Sequence, residues 1–297
     1  MLLHQRSITS TEQHNAPFLN LDNQQLEHLD NIKLDEGLTG FSAYNNQLSD
    51  YPEQIDSLTK LQVLNISCNQ IAHIPDSIGQ LRALEMLDLG HNKLSELPNT
   101  LGQLTELVYL YLSNNQLSDI PSTLSALHKL RYLNITDNHL TNIPETVFAM
   151  RGLEELRLYN NKISSFAEKI GELKNLKELH LMNNHLSQFP AEINQLTLLR
   201  VLDISGNRIK SIPDALTQLS HLQDLNFRFN NLSELPESIA ALTGLQTLDL
   251  RANNLTSLPD SIYTLKNLKR LDLRWNSFSQ YPAQLAQLEE NGCLIHI

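Results

Sequence analysis

A pattern of 23 residues repeats from residue 38 to residue 290 without one insertion or deletion, and it constrains the fold more than any other feature. Written as L-x-x-L-x-L-x-x-N-x-L-x-x-L-P-x-x-I-x-x-L-x-x, the unit occurs eleven times, with first leucines from Leu38 to Leu268. Position 15 is proline in every unit except the sixth, where Ala167 replaces it. One such unit cannot bury its own apolar face, so units stack and each covers its neighbour's core. The repeat therefore predicts one elongated solenoid.

The first part of each unit predicts a short β-strand. Alternate side chains of a strand face opposite ways, so positions 4 and 6, such as Leu110 and Leu112, should point inward while positions 3, 5 and 7 point out. The chain must then turn inside the solenoid, where buried backbone donors and acceptors need partners. We expect the asparagines at position 9, such as Asn161, to supply them.

The second part of each unit predicts a short turn on the opposite side. Proline at position 15 fixes its backbone angle and suits an extended or turn segment. The I-x-x-L spacing that follows, as in Ile78 and Leu81, fits one helical or 3-10 turn. The fold class is therefore an α/β solenoid, with a parallel β-sheet on its concave face and short helical turns or loops on its convex face.

The repeat also divides the chain. Four leucines before it echo positions 4, 6, 11 and 14 of a degenerate unit with Gln24 in place of asparagine: Leu19, Leu21, Leu26 and Leu29. The alternation at the far end predicts a last strand, with Ile295 and Ile297 inward if the register slips by one. The expected parts are an N-terminal arm (1–15), a degenerate capping repeat (16–37), the eleven units (38–290) and a capping strand (291–297).

Composition narrows the function classes. The formal charge of −11 disfavours nonspecific binding to nucleic acid or acidic lipid, which both need a basic surface, so we expect a polypeptide partner and an otherwise monomeric chain. No apolar stretch reaches membrane-spanning length, and the N-terminal residues do not resemble a secretory signal. The two cysteines, Cys68 and Cys293, lie near opposite ends of the stack and should not pair. These features favour a reducing cytosol.

The outward positions hold an unusual share of aromatic residues. Tyr109 and Tyr132 occupy position 3 of neighbouring units and should stand side by side, with Tyr111 two residues along. Tyrosine and tryptophan are common anchors of protein interfaces, and the alternative is that these rings merely cover the sheet. The expected binding group comprises Met86, Tyr109, Tyr111, Tyr132, Arg157, Tyr159, His180 and Met182.

A second candidate group lies toward the C-terminus. Arginines recur at position 7 of three consecutive units beside aspartates at position 5: Arg228, Arg251 and Arg274 beside Asp203, Asp249 and Asp272. They could form a self-compensating surface ladder or hold an acidic segment of a partner. Phe229 and Trp275 flank Ala252 at position 8 and could leave an aromatic-sided notch.

No catalytic, metal or cofactor motif is present in the sequence. The outward histidines, such as His91 and His180, follow the repeat, and we expect them to lack close carboxylate or cysteine companions. An enzyme with a concave site around Arg157, His180 and Cys68 is the alternative class, although these residues form no recognised arrangement.

With LPxxIxxLxxLxxLxLxxN in register, residues 38–290 resemble the 23-residue leucine-rich repeats of intracellular Ras-scaffold and Scribble-type proteins and of repeat effectors that bacteria inject into host cells. The resemblance implies a horseshoe whose concave strands hold another protein. Glu289-Glu290 before Leu294-Ile295 is similar to a type IV secretion signal. The leading hypothesis is a non-enzymatic protein-binding module of a cytosol, the cell's own or a host's. An extracellular recognition ectodomain is a further alternative.

Overall fold

A computed structural model describes residues 17–297 of the chain as an open horseshoe. Its inner face is one sheet of thirteen strands, all parallel and ordered as in the sequence, so each strand pairs only with the strands before and after it. The strands are β1 Phe18–Asn20, β2 Gly40–Ser42, β3 Val63–Asn65, β4 Met86–Asp88, β5 Tyr109–Tyr111, β6 Tyr132–Asn134, β7 Glu155–Arg157, β8 Glu178–His180, β9 Val201–Asp203, β10 Asp224–Asn226, β11 Thr247–Asp249, β12 Arg270–Asp272 and β13 Leu294–His296. The predicted fold class is confirmed.

Short helical segments form the outer face. In the third unit of the repeat, for example, Pro98 is extended (φ −70°, ψ 146°) and the 3-10 helix starts at the next residue. The 3-10 helices are Glu53–Ser57, Asp76–Gln80, Asn99–Gln103, Ser122–Ala126, Glu168–Glu172, Ala191–Gln195, Glu237–Ala241 and Asp260–Thr264. The α-helices are α1 Glu145–Ala149, α2 Asp214–Thr217 and α3 Leu285–Glu290.

The core is a stack of rows that run through the units. The register pairs Leu87 with Leu110 and Leu110 with Leu133, so residues at position 4 of successive units lie side by side. Leu110 and Leu112 are both fully buried, as the alternation predicts. The tyrosines on either side of Leu110 face the other way, and the core and the concave surface are therefore separate.

Asparagines at position 9 form a ladder inside the turn after each strand. The Oδ1 atom of Asn161 accepts a hydrogen bond from the backbone N–H of Leu140 at 3.0 Å. Its Nδ2 atom donates to the carbonyl oxygens of Ile135 at 2.9 Å and Leu158 at 3.0 Å. Each amide therefore connects its own unit with the preceding one, and the predicted structural role is confirmed.

Position 8 has a left-handed backbone in all eleven units, a feature that the strand and turn pattern did not predict. The φ angles lie between 50° and 67°. Asparagine, aspartate and glycine tolerate this conformation, and bulkier residues adopt it at a cost. The residues are Asn45, Cys68, His91, Asn114, Asp137, Asn160, Asn183, Gly206, Phe229, Ala252 and Trp275.

The ends of the stack extend the same architecture. Leu19 pairs with Phe41 in the register of position 4, and the Oδ1 atom of Asn46 accepts a hydrogen bond from the backbone N–H of Gln24 at 3.0 Å. At the other end Ile295 pairs with Leu271, which is the expected slip of one residue. Ile297 is 47% exposed, so the expectation that it points inward is wrong, because the chain has left the paired strand.

The expected N-terminal arm, residues 1–15, lies outside the described residues. Within residues 17–297, none of the helices combines the length and the hydropathy required to cross a bilayer.

Candidate functional site

Three tyrosines form an aromatic cluster at the middle of the concave sheet. The register places Tyr109 beside Tyr132, with ring centroids 6.4 Å apart. The rings of Tyr111 and Tyr132 are closer, at 4.8 Å. Tyr109 is 41% exposed, whereas Tyr111 and Tyr132 are half-buried. The strand register thus brings together the three residues at the centre of the predicted binding group. We call them the tyrosine cluster.

The hydroxyl groups of Tyr111 and Tyr132 remain protonated near neutral pH. Burial raises the pKa of Tyr111 to about 12, and burial also raises the pKa of Tyr132 above its usual value of 10.0. Each hydroxyl is therefore a hydrogen-bond donor and acceptor on an apolar ring, which suits an interface anchor.

Met86 and Arg157 border the tyrosine cluster on its two sides. Met86 pairs with Tyr109 and is half-buried. The guanidinium carbon of Arg157 lies 5.8 Å from the ring centroid of Tyr132, within the range of a cation–π contact. Tyr159 and Met182 lie at position 7 of units six and seven, and both are partly exposed. The predicted group is therefore one continuous surface across units three to seven.

His180 differs from the expectation that the concave histidines have no carboxylate companions. Its Nε2 atom lies 3.2 Å from Oε2 of Glu178. Glu155 pairs with Glu178 in the neighbouring strand, and one ligand atom from each of the three residues falls within 4.8 Å of the others. That expectation is therefore wrong, because the register of position 3 supplies acids to a histidine at position 5. The sequence contained this signal in Glu155 and Glu178.

The Glu155, Glu178 and His180 group has the donor set of a divalent metal site. A metal ion there would compete with Arg157, whose Nε atom lies 2.5 Å from Oε1 of Glu155. This ion pair places a fixed positive charge beside the carboxylate.

The three residues of the enzyme alternative do not converge. Arg157 and His180 are neighbours in β7 and β8. Cys68 follows β3, four strands from Arg157, which is about 19 Å at the usual spacing between strands. Burial raises the pKa of the Cys68 thiol, which keeps it protonated, whereas a cysteine nucleophile needs a lowered pKa.

Two of the C-terminal arginines pair with aspartates on their own strands. Arg251 forms an ion pair with Asp249, and the Nε atom of Arg274 donates to Oδ1 of Asp272 at 2.9 Å. The side chain of Asp272 is 1% exposed and lies 3.4 Å from the Nε atom of Arg251 as well. Burial alone would raise the pKa of Asp272, but hydrogen bonds from Arg274 and the nearby positive charges hold it below its usual value. In both pairs the carboxylate of the aspartate neutralises the charge of the arginine.

Arg228 is the exception in the row of arginines. Within residues 17–297 it forms no ion pair, and the expected neighbour Asp203 instead accepts a hydrogen bond from Nδ2 of Asn226 at 2.9 Å. The rings of Phe229 and Trp275 are 50% and 62% exposed and nearly parallel, at 14° with centroids 6.3 Å apart. The sequence predicted a notch between them, and the rings narrow it by leaning together over Ala252.

The surface of residues 17–297 has a hollow on each side of the horseshoe. A concave one of about 220 Å³ is lined by charged residues that include Asp224, Asp249 and Arg270. A larger one of about 550 Å³ lies on the convex side near α1, and no motif in the sequence predicts it. There Lys169 pairs with Glu145 across the opening, and both side chains are more than half exposed. The convex hollow is therefore already charge-compensated.

Sequence comparison identifies the family. Residues 43–94, 59–117, 128–186 and 174–232 match the family described as "Leucine rich repeat". Residues 214–291 match "Leucine-rich repeat region", and residues 105–148 match "Leucine Rich repeats (2 copies)". These segments cover most of the chain, which belongs to the leucine-rich-repeat family. Among curated protein sequences, none matches this chain significantly.

Solved structures with the same architecture come from bacteria and plants. A leucine-rich-repeat protein of Leptospira interrogans is 28% identical, with 95% of this chain and 96% of that one aligned and a TM-score of 0.51. The internalin inlF of Listeria monocytogenes is 25% identical over 88% of this chain and 80% of its own, with a TM-score of 0.69. The plant peptide hormone receptor RGFR1, in complex with RGF2, is 27% identical over 88% of this chain and 47% of the receptor, with a TM-score of 0.72.

Proposed function

We propose that this chain is a non-enzymatic protein-interaction module that holds a partner protein on its concave face, centred on the tyrosine cluster. The observation that carries the proposal is the contact of Tyr109, Tyr111 and Tyr132 on a regular sheet, with Tyr109 well exposed. Aromatic residues of this kind supply most of the energy in many interfaces. The family supports it, since the similar receptor RGFR1 is known in complex with RGF2.

Charge supports a protein partner. Taken over positions 3, 5, 7, 8 and 10, the concave face of the eleven units holds eight acids and eight lysines or arginines. The surplus negative charge of the chain therefore lies elsewhere. A balanced face with an aromatic centre suits a polypeptide, whereas a nucleic acid would need a basic face. The stack is already formed before binding, which limits the entropy lost on association.

The test is affinity capture from cell extract followed by mass spectrometry, with three tyrosines replaced together: Tyr109→Ala, Tyr111→Ala and Tyr132→Ala. We expect the partner to be lost. The matched control is Tyr263→Ala with Tyr281→Ala, which removes two exposed tyrosines outside the concave strands. Because Tyr111 and Tyr132 are half-buried, circular dichroism must show that the triple variant remains folded. If a folded triple variant still captured the partner, the binding site would lie elsewhere, and the three rings would only cover the sheet.

We also propose that the module works in a cytosol, that of the producing cell or of a host into which it is injected. Cys68 and Cys293 are both free thiols, as cysteines are in a reducing compartment. Fractionation of the producing cells, and of host cells if the source is a pathogen, tests this. Recovery of the protein only from the culture medium would contradict it.

A further inference from the structure

Arg228 lies at position 7, as Arg251 and Arg274 do, but within residues 17–297 it has no acidic partner. Arg251 and Arg274 each follow an aspartate by two residues and pair with it. The residue two before Arg228 is Asn226, whose Oδ1 atom accepts the backbone N–H of Arg228 at 3.0 Å and offers no negative charge. Position 5 is asparagine in this unit and aspartate in the next two, so the guanidinium charge of Arg228 has no compensating carboxylate on its own strand.

The neighbouring carboxylates are engaged elsewhere. Asp203 accepts hydrogen bonds from Asn226 and from the backbone and hydroxyl of Ser205 at 3.0 and 2.7 Å. Asp249, on the other side, is bound by Arg251. Neither lies within ion-pair distance of Arg228, which is unpaired throughout residues 17–297.

Aromatic rings hold the guanidinium of Arg228 in place. Its central carbon lies 4.4 Å from the ring centroid of Phe229 and 6.0 Å from that of Trp275. A guanidinium that stacks through its face keeps its in-plane N–H donors free at the edge. Its Nε atom is buried and has no hydrogen-bond partner among the described residues. A planar carboxylate matches the two terminal nitrogens of the guanidinium, which are not buried, through two parallel hydrogen bonds.

The two rings occupy backbone positions that disfavour them. Phe229 and Trp275 have φ angles of 54° and 62°, in a row where asparagine recurs. A bulky residue in this conformation is less favourable than glycine, because its Cβ atom crowds the backbone. Both rings are half exposed or more, so burial in the core does not offset that cost. We therefore assign the two rings a role on the protein surface and not in the core.

We propose that Arg228, Phe229 and Trp275 form a recognition site for an aspartate or glutamate side chain of the partner, with an adjacent apolar side chain packed on the rings. The carboxylate takes the charge-complementary place that Asp249 and Asp272 occupy beside the other two arginines. This inference rests on the proposed function and adds the chemistry of the partner segment at the C-terminal end of the sheet.

The probe is a phage-displayed library of random linear peptides, in which no peptide has a free terminal carboxylate. It is selected in parallel on three proteins: the wild type, Asn226→Asp and the matched control Asn134→Asp. Asn226→Asp gives Arg228 the partner that Arg251 and Arg274 have, so it should fold as those units do. Asn134→Asp makes the same change at position 5 of another unit, where the Oδ1 atom also accepts a backbone N–H at 3.0 Å.

Wild type and Asn134→Asp should both enrich peptides with an acidic residue next to an apolar one, and Asn226→Asp should not. A synthetic amidated peptide from the wild-type pool should bind Asn226→Asp about ten- to a hundredfold more weakly in fluorescence anisotropy. The same peptide with its acid replaced by the amide should lose affinity for the wild type to a similar degree.

Equal acidic enrichment on Asn226→Asp, or none on the wild type, would overturn this inference. If Asn134→Asp alone lost the preference for acidic peptides, that preference would belong to another part of the sheet. This result would also overturn the inference. Neither result bears on capture of the native partner, which the tyrosine variants test separately.

Discussion

The side chain of Asn161 and the backbone of Leu140 are joined by a hydrogen bond of 3.0 Å that crosses from one unit to the one before it. The same bond recurs along the stack, for example from Leu117 to Asn138 and from Ile163 to Asn184. Because each asparagine connects two units, the stability of one unit depends on the side chain of the next.

Asn161→Ala should lower the free energy of unfolding by about 1–3 kcal/mol, since it leaves buried backbone groups without partners. Urea unfolding followed by circular dichroism measures the change. Asn142→Ala removes the same groups from an exposed asparagine and should change little. The concave surface is untouched, so a folded Asn161→Ala protein should still capture its partner. An unfolding free energy equal to that of wild type would contradict the role of the ladder.

Ala252→Gly should stabilise the protein by about 0.5–1 kcal/mol, although glycine usually weakens ordered structure. Ala252 has a φ of 53°, where its Cβ atom is unfavourable and glycine is not. Ala241→Gly, at the end of a 3-10 helix, is the matched control and should destabilise. Thermal unfolding of both variants distinguishes them, and a loss of stability in Ala252→Gly would refute the argument.

Asp272→Asn should destabilise the protein by about 1–3 kcal/mol near neutral pH, because the buried carboxylate binds several arginines. The pKa of Asp272 lies below its ordinary value of 3.8, so the charge contributes stability above that value and loses it as the pH falls through the lowered pKa. The difference between variant and wild type should therefore shrink only in strong acid. Asp224→Asn, at an exposed aspartate, serves as the control. A difference that is already gone at pH 5 would contradict the assignment.

Asp88→Asn should have the opposite effect. Burial raises the pKa of Asp88, so its charge costs stability above the raised pKa, and this cost vanishes below the ordinary value. Asparagine preserves the hydrogen bond that Oδ1 accepts from the backbone N–H of Gly90 at 2.9 Å. We expect a gain of about 0.5–1 kcal/mol near neutral pH that fades as the pH is lowered. Urea unfolding over a pH series would refute this if the variant were less stable at neutral pH.

Much of the fold follows from the repeat. The alternation of positions 3 to 7 places Leu110 inside and Tyr109 outside because a strand has only two faces. The constant unit length also places Tyr109 beside Tyr132, since parallel strands of equal length keep one register. These features need no information beyond the spacing of the residues.

Side-chain pairing on the sheet was harder to predict from the sequence. The sequence placed Arg228 beside Asp203, but the choice of Asn226 as the partner of Asp203 depends on the reach of competing side chains. The left-handed turn at position 8 was also missed, although the recurrence of asparagine there was a signal for it. Phe229 and Trp275 weaken the asparagine pattern at position 8, because their side chains do not favour a left-handed turn.

The regular register of the sheet also sets a fixed spacing between the rows of concave side chains. Strands recur about every 4.8 Å, whereas an extended peptide shows side chains on one side about every 6.6 Å. The two spacings come back into step after about four strands, or about six peptide residues. Tyr159 just after β7 and Arg251 just after β11 share position 7 of their units and are four strands apart. A single extended segment laid across the sheet would therefore place a side chain directly over both of these residues. Over the strands between them, its side chains would not align with the rows of the sheet.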